Sequence, residues 1–425
     1  MKKITSSYWF WFSPYLLLFI CIVLKFHKDE MIGDEQRYMD FAHNLCHGFY
    51  SPGTGAKLNL WNGPGYPIVL MPFVALKTPL IFITLFNSLL QYLSIIFLYR
   101  SLLIISNKKA ALCFALFWAS YFVSYQEMPN IVTETFTSFL ITLIIFLVVK
   151  SFTNNSNKYL AGAGISLGFL VLTKVAFGYV LLFSILIYVC FYLVTHYLLK
   201  RKLKPVRNIL IIMLIALGTI TPYMVYTYSL TGKMFYFGNS GGVVLYWMST
   251  PYEHEYGEWN SDTFDAYCKD GLPCNAEFIA KNHTKDFDII NQYTGVDRDD
   301  AFKKIAIENI KTHPLKYVRN WFSNLGRIWF GYPSSAFYQQ DIILVRFIPN
   351  SIILTFFLLC FPFWIINFKK CSTEINFLVI FIFIYLGATT LVSAYPRQLF
   401  VVVPVLLIWM ASLLHRLVTI KVKME

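Results

Sequence analysis

Gly33-Asp34-Glu35-Gln36-Arg37-Tyr38 stands a few residues past the chain's first apolar run, residues 8–24. From Tyr38 onward Phe41, Ala42, Leu45, Cys46 and Phe49 recur at helical spacing, and Asp40, His43, Asn44 and His47 fall on the opposite face. This predicts a short amphipathic helix lying at a membrane surface, with Gly48 near its end as a stop. Asp34 and Glu35 open it. One reading makes Asp34 the N-cap and Glu35 a first-turn acid, both favoured by the helix dipole. The other makes them carboxylates at the mouth of a membrane-level cavity, with Arg37 one turn along.

The surroundings decide for a membrane protein. Of 425 residues, 57% are hydrophobic and 14% charged, against roughly 25% charged in a soluble domain. Mean hydropathy is +0.54 and aromatics make up 18%. A soluble, disordered, collagen-like or disulfide-scaffold chain is excluded. Ten apolar runs are candidate spans: 8–24, 79–105, 110–124, 131–149, 159–173, 175–199, 208–229, 342–368, 375–392 and 399–414. The first follows Met1-Lys2-Lys3 as a signal peptide would, but it is too aromatic and lacks a small-residue cleavage site, so it reads as a membrane helix.

The net charge of +13 first points to nucleic acid. Its placement points elsewhere. Seventeen of the 36 bases lie in alternate short loops or at the termini, with only Glu374 and Glu425 as acids on that side. By the positive-inside rule this is the cytoplasmic face, and it holds both termini. The remainder of the chain carries 19 bases and 21 acids. The charge is a record of topology, and no nucleic-acid partner is expected. The fold class predicted is an all-α polytopic membrane protein with about ten transmembrane helices. Residues 1–229 form a transmembrane module containing the first outward loop, 25–78. Residues 230–341 form a small extracytoplasmic domain, and 342–425 hold the C-terminal transmembrane helices.

Two Gly and two Pro in Gly63-Pro64-Gly65-Tyr66-Pro67 force a defined turn into a re-entrant or interfacial helix. Cys268 and Cys274 flank the turn Lys-Asp-Gly-Leu-Pro. They are either a disulfide, in an oxidising compartment, or two unrelated thiols. Neither their spacing nor their neighbours suggest zinc. Asn282-His283-Thr284 matches a glycosylation sequon, relevant only in a eukaryotic secretory route. The outward loop is rich in aromatics, among them Trp247, Tyr252, Trp259, Tyr267, Tyr293 and Trp321, which could stack on sugars or form a small core.

Taken in order, the motifs resemble the polyprenyl-phosphate-sugar-dependent membrane glycosyltransferases of the GT-C fold. The closest likeness is to the bacterial dolichyl-phosphate-mannose-protein mannosyltransferase-like and aminoarabinose-transferase-like members. Asp34-Glu35 with Arg37 and Tyr38 match an acidic pair in the first outward loop, and 63–67 match its proline turn. Thr133-Glu134-Thr135-Phe136 look like the acid at the start of the fourth helix. Ala161-Gly162 through Leu172-Thr173-Lys174 resemble the glycine-rich fifth helix ending in a base. Arg397, seven residues before Pro404, matches a further motif. The chain departs from the pattern at Asn62-Gly63, where some relatives carry a base, at Lys174, where Arg is usual, and at Arg397-Gln398, where Arg-Tyr is common.

The resemblance implies Asp34 as general base, with Glu35 and Glu134 as further catalytic acids. It implies Arg37, Lys174 and Arg397 as partners of the donor phosphate, and Tyr38, Tyr66 and Tyr395 as substrate-positioning residues. The donor would be a polyprenyl-phosphate sugar such as one on undecaprenyl phosphate, and the acceptor a cell-envelope glycan, lipopolysaccharide or other lipid, or protein. The site would face the periplasm from a bacterial inner membrane. No cofactor is required. A divalent metal on Asp34, Glu35 and Glu134 is conceivable, but a lipid monophosphate held by Arg and Lys does not need one. The rivals are a polysaccharide polymerase or ligase, with its charged residues in later loops, and a lipid-linked-sugar transporter, with charges lining a path mid-helix. A non-enzymatic membrane scaffold would tolerate replacement of Asp34.

Overall fold

The computed structural model describes residues 8–31, 33–51, 58–198, 203–260, 277–333 and 343–417, and among them every regular element is a helix. The N-terminal part comprises α1 Tyr8–Phe26, α2 Asp34–Cys46, α3 Gly65–Ala75, α4 Leu80–Ile105, α5 Lys108–Ala119, α6 Thr133–Asn154, α7 Asn157–Thr173, α8 Ala176–Leu193 and α9 Lys204–Thr231. The outward segment supplies α10 Gly241–Met248, α11 Glu277–Ile290, α12 Gly295–Thr312 and α13 Pro314–Phe330. The chain returns through α14 Ile343–Ile366, α15 Thr373–Thr390, the single turn α16 Pro396–Phe400 and α17 Val403–Leu417.

Each of the ten apolar runs is helical, but the expected number of spans is not reproduced. Among the described residues, seven helices are long and apolar enough to cross a membrane: α1, α4, α6, α8 with its following turn, α9, α14 and α15. Runs 110–124, 159–173 and 399–414 give α5, α7 and α17, of 12, 17 and 15 residues, short of the roughly 20 that a bilayer asks for. Local chemistry sets some of these ends. Asn107 caps α5, its Oδ1 accepting from Ala110 N at 2.9 Å. At the end of α7 the chain turns extended at Lys174, so the two nearly touching runs are separate helices.

The short helices pack on long ones: α7 lies against α6 and α9, and α17 against α4, α14 and α15. Gly164 and Gly168 make the α7–α9 approach possible. A Cβ on them would lie 2.6 Å from Ile215 Cβ and 2.5 Å from Thr219 Cβ, the small-residue packing that membrane helices use in place of a hydrophobic drive. Leu17, Leu186 and Ile366 stand exposed on α1, α8 and α14, as lipid-facing positions should. The chain is a multi-pass membrane protein.

The first outward segment folds as two short helices, α2 and α3. Asp34 is not the N-cap of α2. Gly33 holds that position with φ 63°, and no side chain caps the end. Tyr38, Phe41 and Ala42 form the buried face, while Cys46 is exposed.

Val243, Tyr246, Trp247, Phe287, Ile290, Phe302 and Ala306 make a second core, apart from the membrane one. It is stitched to the membrane helices through α13: Asn324 Nδ2 donates to the Thr390 carbonyl at 2.8 Å. Asn282, the sequon residue, donates its side-chain amide to Glu255 Oε1 at 2.9 Å, so the nitrogen a glycan would need is already engaged. Tyr267, Cys268 and Cys274 lie outside the described residues.

Candidate active site

Three local devices bring distant segments to one end of the helices. Asn87 of α4 donates to the carbonyls of Met128 and Asn130, at 3.1 and 2.9 Å, and so fixes the segment that leads into α6. Glu35 accepts from Ile131 N at 2.8 Å, tying α2 to that same segment. The proline turn seats directly on the end of α7: a Cβ on Gly63 would be 2.0 Å from the Leu172 carbonyl oxygen, and one on Gly65 2.5 Å from Thr173 N. Only glycine permits that approach, and the approach holds Lys174 in place.

The result is a cavity of about 660 Å³ lined by Asp34, Arg37, Tyr38, Glu134, Lys174, Tyr395 and Arg397, among others. Five of these form an alternating chain of charge. Arg37 Nη1 lies 3.0 Å from Asp34 Oδ1. Arg397 Nη1 lies 3.3 Å from Asp34 Oδ2, and its Nε lies 3.7 Å from Glu134 Oε1. Lys174 Nζ closes the series 2.8 Å from the same Glu134 oxygen. Three cations thus face two carboxylates. Glu134 is the deepest, with a side chain 3% exposed. A carboxylate that buried costs several kcal/mol unless paired, and here two cations pair it.

Arg397 comes from α16. Gln398 accepts from Tyr395 N at 3.1 Å in a capping box, which orients the turn that presents the guanidinium. The Gln that departs from the family pattern therefore has a local task. Burial works against the Arg397 charge, but Glu134 and Asp34 outweigh it and hold its pKa above the ordinary value. Burial, reinforced by Glu134 and Asp34, pushes the Tyr38 phenol up, so it stays protonated. Its oxygen accepts from Asn62 Nδ2 at 3.0 Å.

Two of the sequence candidates stand elsewhere. Glu35 does not line the cavity, because its carboxylate is spent on the Ile131 amide. Tyr66 sits behind Tyr38, with ring centroids 5.3 Å apart, and its buried hydroxyl has no partner among the described residues.

The sequence reading missed several others. Trp61 lines the cavity and lies under the Arg37 guanidinium at 5.2 Å. Trp259, one of the outward-loop aromatics the sequence did single out, lines the cavity as well. Glu127, seven residues before Glu134, is pushed up to about 7 by burial and by the Glu134 charge, against the pull of Arg397, Arg346 and Lys174. It lies in the short link between the apolar runs 110–124 and 131–149 and carried no motif. Its only sequence signal was an acid close to the start of an apolar run.

Residues 64–226 match the model of the dolichyl-phosphate-mannose-protein mannosyltransferase family. The family that matches is the one the motifs resemble, and the matched segment holds Glu134 and Lys174 while Asp34, Arg37 and Arg397 lie outside it. Among solved structures the chain is similar to ArnT from Cupriavidus metallidurans bound to undecaprenyl phosphate, with 13% identity, 96% of this chain and 77% of that chain covered, and a TM-score of 0.39. No curated protein matches the chain in sequence.

Proposed function

We propose that the chain is an integral-membrane glycosyltransferase that moves a sugar from a polyprenyl-phosphate donor to an extracytoplasmic acceptor by inverting displacement. The family match supports the reaction class. The observation that carries the reading is the alternation Arg37–Asp34–Arg397–Glu134–Lys174 around one cavity. In the transfer, the acceptor oxygen forms a bond to the anomeric carbon as the bond from that carbon to the phosphate oxygen breaks. The hydroxyl proton passes to Asp34, and the electron pair leaves on the phosphate.

The phosphodiester with one negative charge becomes a phosphomonoester approaching two. Cations preorganised around it favour the transition state over the ground state. Arg397 and Arg37 can each offer a planar fork, and Lys174 a point charge. Both Asp34 oxygens are occupied by arginines before substrate arrives. A donor phosphate that draws on the same guanidiniums would loosen that hold and leave the carboxylate free to accept a proton. Glu134 serves as the fixed counter-charge that orients Arg397 and Lys174, and Glu35 as a positioning residue through Ile131. With three cations at the leaving group, no divalent metal is part of the proposal.

A second cavity, about 470 Å³, adjoins the first and shares Val175, Ala176, Val244 and Gln398 with it. It runs between the start of α8 and the end of α15. Its apolar walls suit the first isoprene units of the donor. The charged residues sit at helix ends rather than mid-span, which favours an enzyme over a transporter. An inner-membrane location with the cavity facing the periplasm completes the reading. The test is to supply the purified protein, in lipid vesicles, with an undecaprenyl-phosphate sugar and a bacterial envelope extract. Release of undecaprenyl phosphate with gain of sugar in the extract is expected; no release overturns the proposal.

A further inference from the structure

A third cavity, about 580 Å³, shares Arg37 and Trp61 with the catalytic one and Asp299 with the apolar arm. Its size falls within the range of small-ligand pockets, roughly 300–1,000 Å³. The lining differs in kind from the apolar arm. Asn59, Asn239, Asn291 and Arg298 supply amide and guanidinium groups, and Trp61 and Tyr293 supply aromatic faces.

Part of this wall is built rigidly. Asn239 Oδ1 accepts from Leu60 N at 3.1 Å, and Asn59 Oδ1 accepts from Trp61 N at 3.1 Å. Ser240 Oγ donates to the Trp61 carbonyl at 3.4 Å. These bonds hold the Trp61 backbone between the two cavities. The opposite wall is the turn between α11 and α12, where Asn291 and the half-exposed Tyr293 present side chains that make no hydrogen bond among the described residues.

We propose that this polar arm binds the saccharide part of the acceptor. The inference rests on the glycosyltransferase reading and adds the acceptor's chemical class to it. A pyranose ring offers closely spaced hydroxyls, each needing a donor and an acceptor, and a flat face of C–H groups. Side-chain amides and a guanidinium meet the first need. Trp61 and Tyr293 meet the second with rigid, amphipathic surface. The position is as telling as the composition. The arm meets the catalytic cavity at Arg37, whose Nη1 is 3.0 Å from Asp34. A hydroxyl at the inner end of a bound saccharide therefore arrives beside the proposed base, while the donor lipid lies in the separate apolar arm. A peptide acceptor would need backbone partners along an extended groove, and the arm is a pocket walled by side chains.

The experiment is saturation-transfer NMR on the full-length protein in nanodiscs. The probes are a panel of neutral and acidic oligosaccharides released from bacterial envelope glycans, and a Ser/Thr-rich peptide. Undecaprenyl phosphate binding, followed by thermal shift, reports on the donor site of the same samples. The expected result is transfer to oligosaccharide ring protons in the wild type and its loss, by tenfold or more, in Asn291→Ala/Tyr293→Ala. Both positions line the pocket at a surface turn. A milder Tyr293→Phe keeps the aromatic face and retains most of the signal. Three results overturn the proposal: no transfer to any oligosaccharide, transfer to the peptide alone, or oligosaccharide binding unchanged in the double variant. Because binding is read without turnover, loss of undecaprenyl phosphate binding in the wild type would count against the donor reading alone.

Discussion

Arg397 places its Nη1 3.3 Å from Oδ2 of Asp34, a residue 363 positions earlier in the chain. The same guanidinium reaches Glu134 through Nε at 3.7 Å. One planar group thus spans both acids, which a lysine cannot do because it is a point charge on a flexible stem. Arg397→Lys is expected to keep the fold and to lower donor turnover about 100-fold, the cost of losing one preorganised donor to a developing anion. Turnover of undecaprenyl-phosphate sugar by the purified variant checks it. Wild-type rates in Arg397→Lys would remove the bidentate role.

Lys174 and Glu134 form the most buried ion pair of the cavity. Lys174→Met leaves a carboxylate that is 3% exposed with Arg397 alone, at 3.7 Å, and should cost about 3 kcal/mol. Glu134→Gln leaves its cations nearer to solvent and should cost less. The double variant Glu134→Gln/Lys174→Met should be more stable than Lys174→Met alone, since the under-compensated buried charge is gone. Thermal unfolding of the four proteins in nanodiscs gives the cycle, and simple additivity would show that the pair is not coupled.

Gly63 and Gly65 bring the proline turn onto the end of α7. Alanine at either site puts a methyl group within 2.0–2.5 Å of α7 backbone atoms, so something must shift. The expected penalty is about 1–3 kcal/mol, with loss of activity as Lys174 moves. Gly218, in α9, has nothing within 4 Å of an added Cβ, and Gly218→Ala should be neutral or slightly stabilising. Equal behaviour of the three variants in thermal unfolding would refute the packing argument.

Glu127 titrates near 7 when folded, above the usual carboxylate value of 4.5. Between those two values the folded protein holds a proton that the unfolded chain has released. Stability should therefore fall as pH rises from about 5 to 7 and level off above. Unfolding midpoints measured across that interval should slope downward in the wild type, and the slope should shrink in Glu127→Gln. An unchanged slope in the variant would assign the effect to another group.

The sequence made the membrane class and the order of the motifs legible, because both rest on local composition. Asp34, Arg37, Glu134, Lys174 and Arg397 could be named from their places at helix ends and in matched motifs. The number of long spans could not, because an apolar run does not state how much of itself packs as a short helix against a neighbour, as α5, α7 and α17 do. Glu35 and Tyr66 were also beyond reach. Which of two adjacent acids turns inward depends on the helix phase and on the Ile131 amide 96 residues away. Trp61 escaped notice for a similar reason: it is one aromatic among many until the loop 58–62 is pinned to Asn239.

The account stands on Asp34 as the base beside a cation-lined phosphate site. The direct measurement compares undecaprenyl phosphate release by wild type and by Asp34→Asn, both purified, folded and supplied with the same donor and acceptor. The predicted result is a fall of roughly 100-fold or more, the usual worth of a positioned base, with donor binding retained. Undiminished release from a folded Asp34→Asn protein would contradict the account.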